Sequence, residues 1–182
     1  SHFGRPMELV PPSYERCVTV KRRKRVTKRW RWLNEPALRE RCARDHRSLR
    51  RMTLRFLVQG QWVEQEAARR GIHVSERHVK RLFERQRRLA FPERGGYERF
   101  LRESGASEAG IKYRIRLDVL QNRITRRTTS RPVTTRGQQR ALQRFIEDFR
   151  KRYVAVTWCA AGYEIAECGA TTAPPLATGL PK

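Results

Sequence analysis

The sequence contains few acidic residues and no long apolar run. Asp and Glu together number 18 among 182 residues, against 42 Lys and Arg, so the formal net charge is +24. No stretch approaches the roughly 20 apolar residues of a membrane-spanning helix, so the sequence predicts no such helix. The chain begins with Ser1, and the lack of a visible signal or anchor segment therefore says nothing about targeting.

Signatures of the common enzyme classes are missing as well. There is no G-x-S-x-G motif, P-loop or dinucleotide fingerprint, and the most plausible histidine pair, His73 and His78, spans a predicted helix start. Glu64 and Glu66 lie on different faces of a predicted helix, so they form no carboxylate pair. We therefore predict no catalytic residues, no bound metal, no cofactor and no small-molecule substrate.

The four cysteines follow neither C-x-x-C nor zinc-finger spacing. Cys17 and Cys42 lie in the first quarter of the chain, and Cys159 and Cys168 lie near its end. Their even number predicts two disulfides, one within each pair, which are typical of an oxidising compartment. Four unrelated buried thiols are the alternative.

The excess of positive charge attracts polyanions such as nucleic acid, anionic lipid or acidic wall polymers. Arginines are scattered over every predicted helix rather than clustered on one face, a distribution that more often reflects biased composition than a binding site. Residues 1–34 contain three prolines, the basic run 21–25 and the pair Trp30 and Trp32, and they are predicted to form an extended basic arm.

Helical periodicity predicts an all-α domain over residues 35–170. The first helix covers about 35–70, with Asn34 as its N-cap and Gly71 as its stop. Shorter helices follow, begun by Ser75 and Ser107 and interrupted at Gly105. The apolar stripe of the first helix is expected to be buried along its whole length, and its members are Leu38, Cys42, Leu49, Met52, Phe56, Val63 and Ala67.

The remaining segments are assigned by composition and periodicity. Residues 125–137 are predicted to be a linker, and 138–153 a fifth helix that packs against the first and fourth. The segment that follows contains β-branched and aromatic residues around Ala161-Gly162, so we predict a short hairpin or a loop that a disulfide closes. Residues 171–182 are rich in Pro, Thr and Ala and are predicted to be a disordered tail.

The region around Gly71 has part of the pattern of a helix-turn-helix motif. Ala67 and Gly71 have the spacing of the motif's first part, and the following helix is basic. Val79, however, lies eight positions after the glycine, whereas the usual spacing is about six. The pattern therefore gives little support to sequence-specific DNA binding.

Four stretches carry a resemblance to a known family. They are VPPSYERC at 10–17, RFLVQGQWVEQEAARRGIHVSERHV at 55–79, FPERGGYERFLRESGASEAGIKYRIRLDVLQNRI at 91–124, and LQRFIEDFRKRY at 142–153 followed by Cys159, Gly162-Tyr163 and Cys168. On these residues the chain resembles the SurA- and PrsA-type extracytoplasmic foldases, specifically the actinobacterial secreted or membrane-anchored peptidyl-prolyl isomerase homologues. The resemblance covers most of residues 9–170.

The resemblance implies a compact SurA N-terminal-like chaperone module, completed by a C-terminal helix, that binds unfolded or extended polypeptide outside the cytoplasm. In this family a parvulin-type isomerase domain of roughly 100 residues is inserted between the helices. Here only residues 125–137 occupy that position. Isomerase activity is therefore not carried over to this chain.

Apolar side chains could line a groove for such clients through non-directional contact. The candidates are Phe56, Trp62, Phe83, Phe91, Tyr97, Phe100 and Leu101. Ordinary core packing is the alternative for each of them. The second functional hypothesis is a basic nucleic-acid-associated protein, in which the run 21–25 contacts phosphates and Trp30 and Trp32 stack on bases.

Overall fold

The computed structural model describes residues 11–23, 33–130 and 134–169. The described residues form six α-helices and no strand, which confirms the predicted all-α class. In chain order they are α1 (Glu15–Arg23), α2 (Glu35–Arg69), α3 (Glu76–Ala90), α4 (Gly96–Ser104), α5 (Glu108–Thr129) and α6 (Thr135–Val156).

Several helix boundaries follow from local capping chemistry. The Asn34 side chain accepts a hydrogen bond from the Ala37 N–H at 3.0 Å, and Ser107 accepts one from the Gly110 N–H at 3.0 Å. Each satisfies one of the amides that the first turn of a helix leaves without a partner. Gly105 ends α4 with a φ of 68°, and its N–H donates to the Leu101 carbonyl. These predicted caps and the predicted stop are confirmed.

Both disulfides predicted from the sequence are present. Cys17 pairs with Cys42, and Cys159 pairs with Cys168. The described residues contain no free cysteine, so the alternative of four thiols is excluded. Such bonds are typical of proteins in oxidising, extracytoplasmic environments.

The structure differs from the prediction in the N-terminal segment that precedes the predicted domain. Residues 1–34 were expected to be extended, but α1 lies within them because Cys17 and Val18 pack into a buried cluster with Leu38 and Cys42. Tertiary packing here outweighs the weak helical signal of a short basic segment. Trp30, Trp32 and the tail 171–182 lie outside the described residues.

The predicted linker over 125–137 is shorter than expected. α5 continues to Thr129 and α6 begins at Thr135. The Thr128 and Thr129 hydroxyls donate to the carbonyls of Ile124 and Thr125, a bond that is compatible with helical backbone. Thr134 caps α6 by accepting from the Gly137 N–H at 3.1 Å.

The described chain divides into two compact units, and each is built from two separate segments. The first unit comprises Ser1–Met52 and Glu76–Ile115, and the second comprises Thr53–Ser75 and Arg116–Lys182. The apolar stripe of α2 is accordingly buried at Leu38 and Val63 but exposed at Leu49 and Met52. The expectation of a continuous buried stripe was therefore wrong in the middle of the helix.

An aromatic cluster joins α3 and α4 in the first unit. Phe83 meets the edge of Tyr97 at a ring separation of 5.8 Å, and Phe91 contacts both Tyr97 and Phe100. Phe83 and Tyr97 are buried, and Phe91 and Phe100 are half-buried. Such offset and edge contacts add to the free energy gained from area burial alone.

Candidate functional site

Glu66 of α2 is a fully buried carboxylate in the second unit. It accepts a bidentate pair from Arg69 at 3.0 and 2.7 Å and a further bond from Arg70 Nε at 2.5 Å. From α6, Arg152 donates at 3.2 Å and the Tyr153 hydroxyl at 3.1 Å. A buried charge is tolerated only when it is paired in this way. Glu66 therefore ties α2 to α6.

Ionisation in this cluster follows from its contacts. Burial alone raises the pKa of Glu66, but the hydrogen bonds and positive charges of Arg69 and Arg70 outweigh it and lower the pKa to about 2. Burial, followed by the negative charge of Glu66, raises the pKa of Tyr153. The carboxylate is thus fixed as an anion and the phenol as a neutral donor, so neither is available for proton transfer near neutral pH.

Trp62 continues the junction between α2 and α6. Its ring stacks on Tyr153 with centroids 5.9 Å apart and meets the edge of Phe149 at 6.1 Å. The indole N–H donates to the Thr157 hydroxyl at 2.7 Å, and that hydroxyl donates to the Tyr153 carbonyl. Phe145, one turn before Phe149, lies under the Arg70 guanidinium at 4.6 Å. These contacts confirm the predicted packing of the last helix against the first long one, whereas its predicted packing against the helix that begins after Ser107 stays a prediction.

A second buried carboxylate, Glu167, anchors the segment after α6. Its Oε1 accepts from Arg55 at 2.9 Å and from Gln59 at 3.0 Å, both on α2. Its Oε2 is buried and has no hydrogen-bond partner among the described residues. The next residue is Cys168, so an ion pair and a disulfide hold two adjacent residues of this segment.

This segment, residues 157–169, is called here the C-terminal loop. It contains no described strand, so of the two predicted alternatives, a hairpin and a loop that a disulfide closes, the loop is confirmed. The backbone N–H of Gly169 donates to the Thr157 carbonyl at 2.9 Å. A Cβ at Gly169 would lie 2.0 Å from the Val154 carbonyl oxygen, and only glycine fits such a close approach.

The C-terminal loop and the end of α6 expose large apolar side chains. Trp158 is 45% exposed, Tyr163 is 50% exposed, and Val156 at the end of α6 is 73% exposed. A disulfide, the Glu167 contacts and the Gly169 backbone bond hold this loop in place. The loop therefore presents aromatic surface without depending on a flexible segment.

The seven predicted client-binding residues divide by burial. Trp62, Phe83 and Tyr97 are buried, so they pack within the units and cannot contact a client while the units remain folded. The other four are half-buried and stay candidates: Phe56, Phe91, Phe100 and Leu101.

Sequence reasoning missed the most informative polar and aromatic residues. Glu66 forms no carboxylate pair with Glu64, but its spacing to Arg69 and Arg70 is that of helical ion pairs. Trp158 lies in the segment whose β-branched and aromatic content predicts a hairpin or loop, and it directly precedes the disulfide cysteine Cys159. The spacing of Glu66 to its arginines is visible in the sequence, whereas the exposure of Trp158 is not.

Among the described residues, no three His, Cys, Asp or Glu side chains are grouped so that they could hold a metal ion. None of their helices combines the length and apolarity needed to cross a bilayer. Comparison with protein-family models, curated proteins and solved structures gave no match to this chain.

Proposed function

We propose that this protein is an extracytoplasmic chaperone-like protein that binds non-native polypeptide and has no prolyl isomerase activity of its own. The observation that carries the proposal is the exposure of Trp158 and Tyr163 on the C-terminal loop. Tryptophan and tyrosine supply large contact areas at low entropic cost and are enriched where proteins bind polypeptide.

The attachment of the loop supports this proposal. Glu167 and Thr157 fasten it to α2 through Arg55, Gln59 and Trp62. Aromatic side chains on a fixed loop lose less conformational freedom on binding than side chains on a mobile one. Contact through apolar rings is also non-directional, which suits clients that share no sequence.

The connection between α5 and α6 supports the absence of isomerase activity. Only residues 130–134 separate the two helices. The isomerases of the family carry a domain of roughly 100 residues at this position. The connection in this chain is too short to contain one. The disulfides and the resemblance together support a secreted or cell-surface location for the protein.

The proposal is tested by diluting an unfolded client of positive net charge into the protein at about 0.3 M salt, where screening reduces electrostatic contact beyond about 6 Å. We expect the wild type to suppress light scattering by the client. The double variant Trp158→Ser, Tyr163→Ser is expected to lose most of this suppression. Proline-limited refolding of a second client should proceed at its uncatalysed rate in every sample.

A matched control replaces exposed apolar residues elsewhere. Leu33 is 37% exposed and Leu89 is 74% exposed, and the double variant Leu33→Ser, Leu89→Ser should retain the suppression. If both double variants behave as the wild type does, the C-terminal loop is not the client site. If the wild type does not suppress scattering at all, the chaperone proposal fails.

A further inference from the structure

One face of α3 carries a line of exposed arginines. Arg77, Arg81, Arg85 and Arg88 are separated by four, four and three positions. At 3.6 residues per turn these positions fall within an arc of roughly 80°, and at 1.5 Å per residue the line is roughly 16 Å long. These four residues are called here the α3 basic stripe.

The opposite face of α3 is fixed within the first unit. Val79 and Phe83 are buried, and Phe83 is covered by the Tyr97 ring and by the Lys112 ammonium at 5.0 Å. Because this face is held by packing, the stripe points away from the buried residues and keeps its side chains on the surface.

No member of the α3 basic stripe has an ion pair with any residue that the structure describes. The acid Glu84 lies roughly 20° beyond the edge of the stripe, and it pairs at 3.2 Å with Arg87, which is not a member of the stripe. Unpaired guanidinium groups keep all of their donors free, and their planar fork matches the oxygens of a phosphate.

A similar row on α6 gives an internal comparison. Arg136, Arg140 and Arg144 have the same four-residue spacing and are also exposed. Glu147 and Asp148 follow directly on α6, so negative charge interrupts that row after three members. The equivalent position of the α3 basic stripe, 11 residues after its first arginine, is Arg88, whereas the α6 row has Glu147 there. One acid, Glu84, borders the α3 basic stripe.

We propose that the α3 basic stripe binds the phosphate headgroups of an anionic membrane surface. A straight row on a rigid helix can place all of its members on one plane at once, and a bilayer presents such a plane. Each basic side chain near an anionic surface strengthens binding roughly fivefold. Leu89, 74% exposed and adjacent to Arg88, adds an apolar side chain of the kind that inserts at the headgroup boundary.

Two observations favour lipid over nucleic acid at this stripe. The disulfides place the chain in an oxidising environment, and none of the exposed residues of α3 is an aromatic that could stack on a base. The stripe belongs to the first unit, so this inference is independent of the client site on the C-terminal loop.

The test is flotation of the intact protein with vesicles of phosphatidylcholine containing 30% phosphatidylglycerol, at about 0.1 M salt, with pure phosphatidylcholine vesicles beside them. We expect binding only to the anionic vesicles. The triple variant Arg77→Gln, Arg81→Gln, Arg85→Gln should bind at least tenfold more weakly. The triple variant Arg136→Gln, Arg140→Gln, Arg144→Gln, which removes the same charge at the same spacing, should change binding less than twofold.

A third variant separates lost charge from lost structure. Arg77→Lys, Arg81→Lys, Arg85→Lys keeps the charge and should retain most of the binding, and all three variants should melt at the wild-type temperature because the sites are exposed. Equal weakening by both glutamine variants would show that net charge alone acts and would overturn the proposal. An absence of binding to the anionic vesicles would also overturn the proposal. The same holds if the α3 glutamine variant binds duplex DNA more weakly than the wild type but binds vesicles equally well.

Discussion

The arginines around the buried acids of the second unit and those of the α3 basic stripe in the first unit have opposite roles. In the second unit, Glu66 and Glu167 are buried and draw arginines inward from α2 and α6. In the first unit, the α3 basic stripe has no such acid to pair with and faces water. The position of the few acids, rather than the number of arginines, therefore determines which arginines stabilise the fold and which are available to a partner.

The ion pairs of the two units differ in how much they stabilise the fold, because their acidic residues differ in burial. Glu66 is fully buried with its ion pairs, whereas Glu35 in the first unit is paired with Arg22 and Arg39 on an exposed surface. Removing one partner of a buried pair costs roughly 3–5 kcal/mol, and an exposed pair contributes roughly 0–1 kcal/mol.

The largest expected effect is that of Glu66→Ala. We expect it to lower the free energy of unfolding by about 4 kcal/mol, because the Tyr153 hydroxyl and three arginines lose their acceptor. Hydrogen exchange measured by peptide should accelerate in α6 more than in α3. The matched variant Glu35→Ala should cost far less, because solvent screens its exposed ion pairs, and equal costs for the two variants would remove the distinction between the units.

The disulfides allow the same comparison through loop closure. Cys17 and Cys42 are 25 positions apart, and Cys159 and Cys168 are 9 apart. The chain-entropy model gives about 3.5 kcal/mol for the first bond and about 2.7 kcal/mol for the second. Separate double Cys→Ser variants, unfolded in urea, should follow this order.

Hydrogen exchange measured by peptide shows which helices each disulfide stabilises. Removal of Cys17–Cys42 should increase hydrogen exchange in α1 and the start of α2, whereas removal of Cys159–Cys168 should increase it at the end of α6. The reverse order of stabilities would show that Glu167, Thr157 and Gly169 depend on their disulfide more than loop length alone predicts.

The smallest expected effect concerns pH. The folded-state pKa of Glu66 is lowered from an ordinary 4.5 to about 2, so its contribution is present above about pH 4.5 and is lost as the pH falls towards 2. Because the arginine partners are partly exposed, we expect a loss on the order of 2 kcal/mol over this range. Urea unfolding followed by fluorescence at pH 5 and pH 2.5 measures it.

Acidification also increases repulsion within a chain of formal net charge +24. Glu66→Gln is the control, since it experiences the same repulsion without the carboxylate. The variant should therefore lose less stability than the wild type between pH 5 and pH 2.5. Parallel losses would mean that Glu66 does not titrate as its contacts require.

Features encoded within a few residues could be predicted. The start of α2 at Asn34, the start of α5 at Ser107 and the end of α4 at Gly105 all depend on hydrogen bonds spanning three or four positions. The cysteine pairs were also predicted from their number and placement. The resemblance to SurA-type foldases and the client site it implies remain predictions.

Features that depend on distant partners could not be predicted. The hydrogen bond between Tyr153 and Glu66 joins residues 87 positions apart, and nothing near either residue specifies the other. The same limit explains α1. The local sequence predicts an extended segment there, and the helix depends on the packing of Cys17 and Val18 against Leu38 and Cys42.

By itself, the sequence determined the helical class, most helix boundaries, the disulfides and the excess of positive charge, because each follows from composition or from contacts along one helix. The tertiary structure alone decided which apolar residues are buried: Trp62 is enclosed by α6, whereas Trp158 is exposed. It also decided which arginines meet a buried carboxylate. Burial and pairing depend on surfaces brought together from separate segments, and the periodicity of one segment does not contain that information.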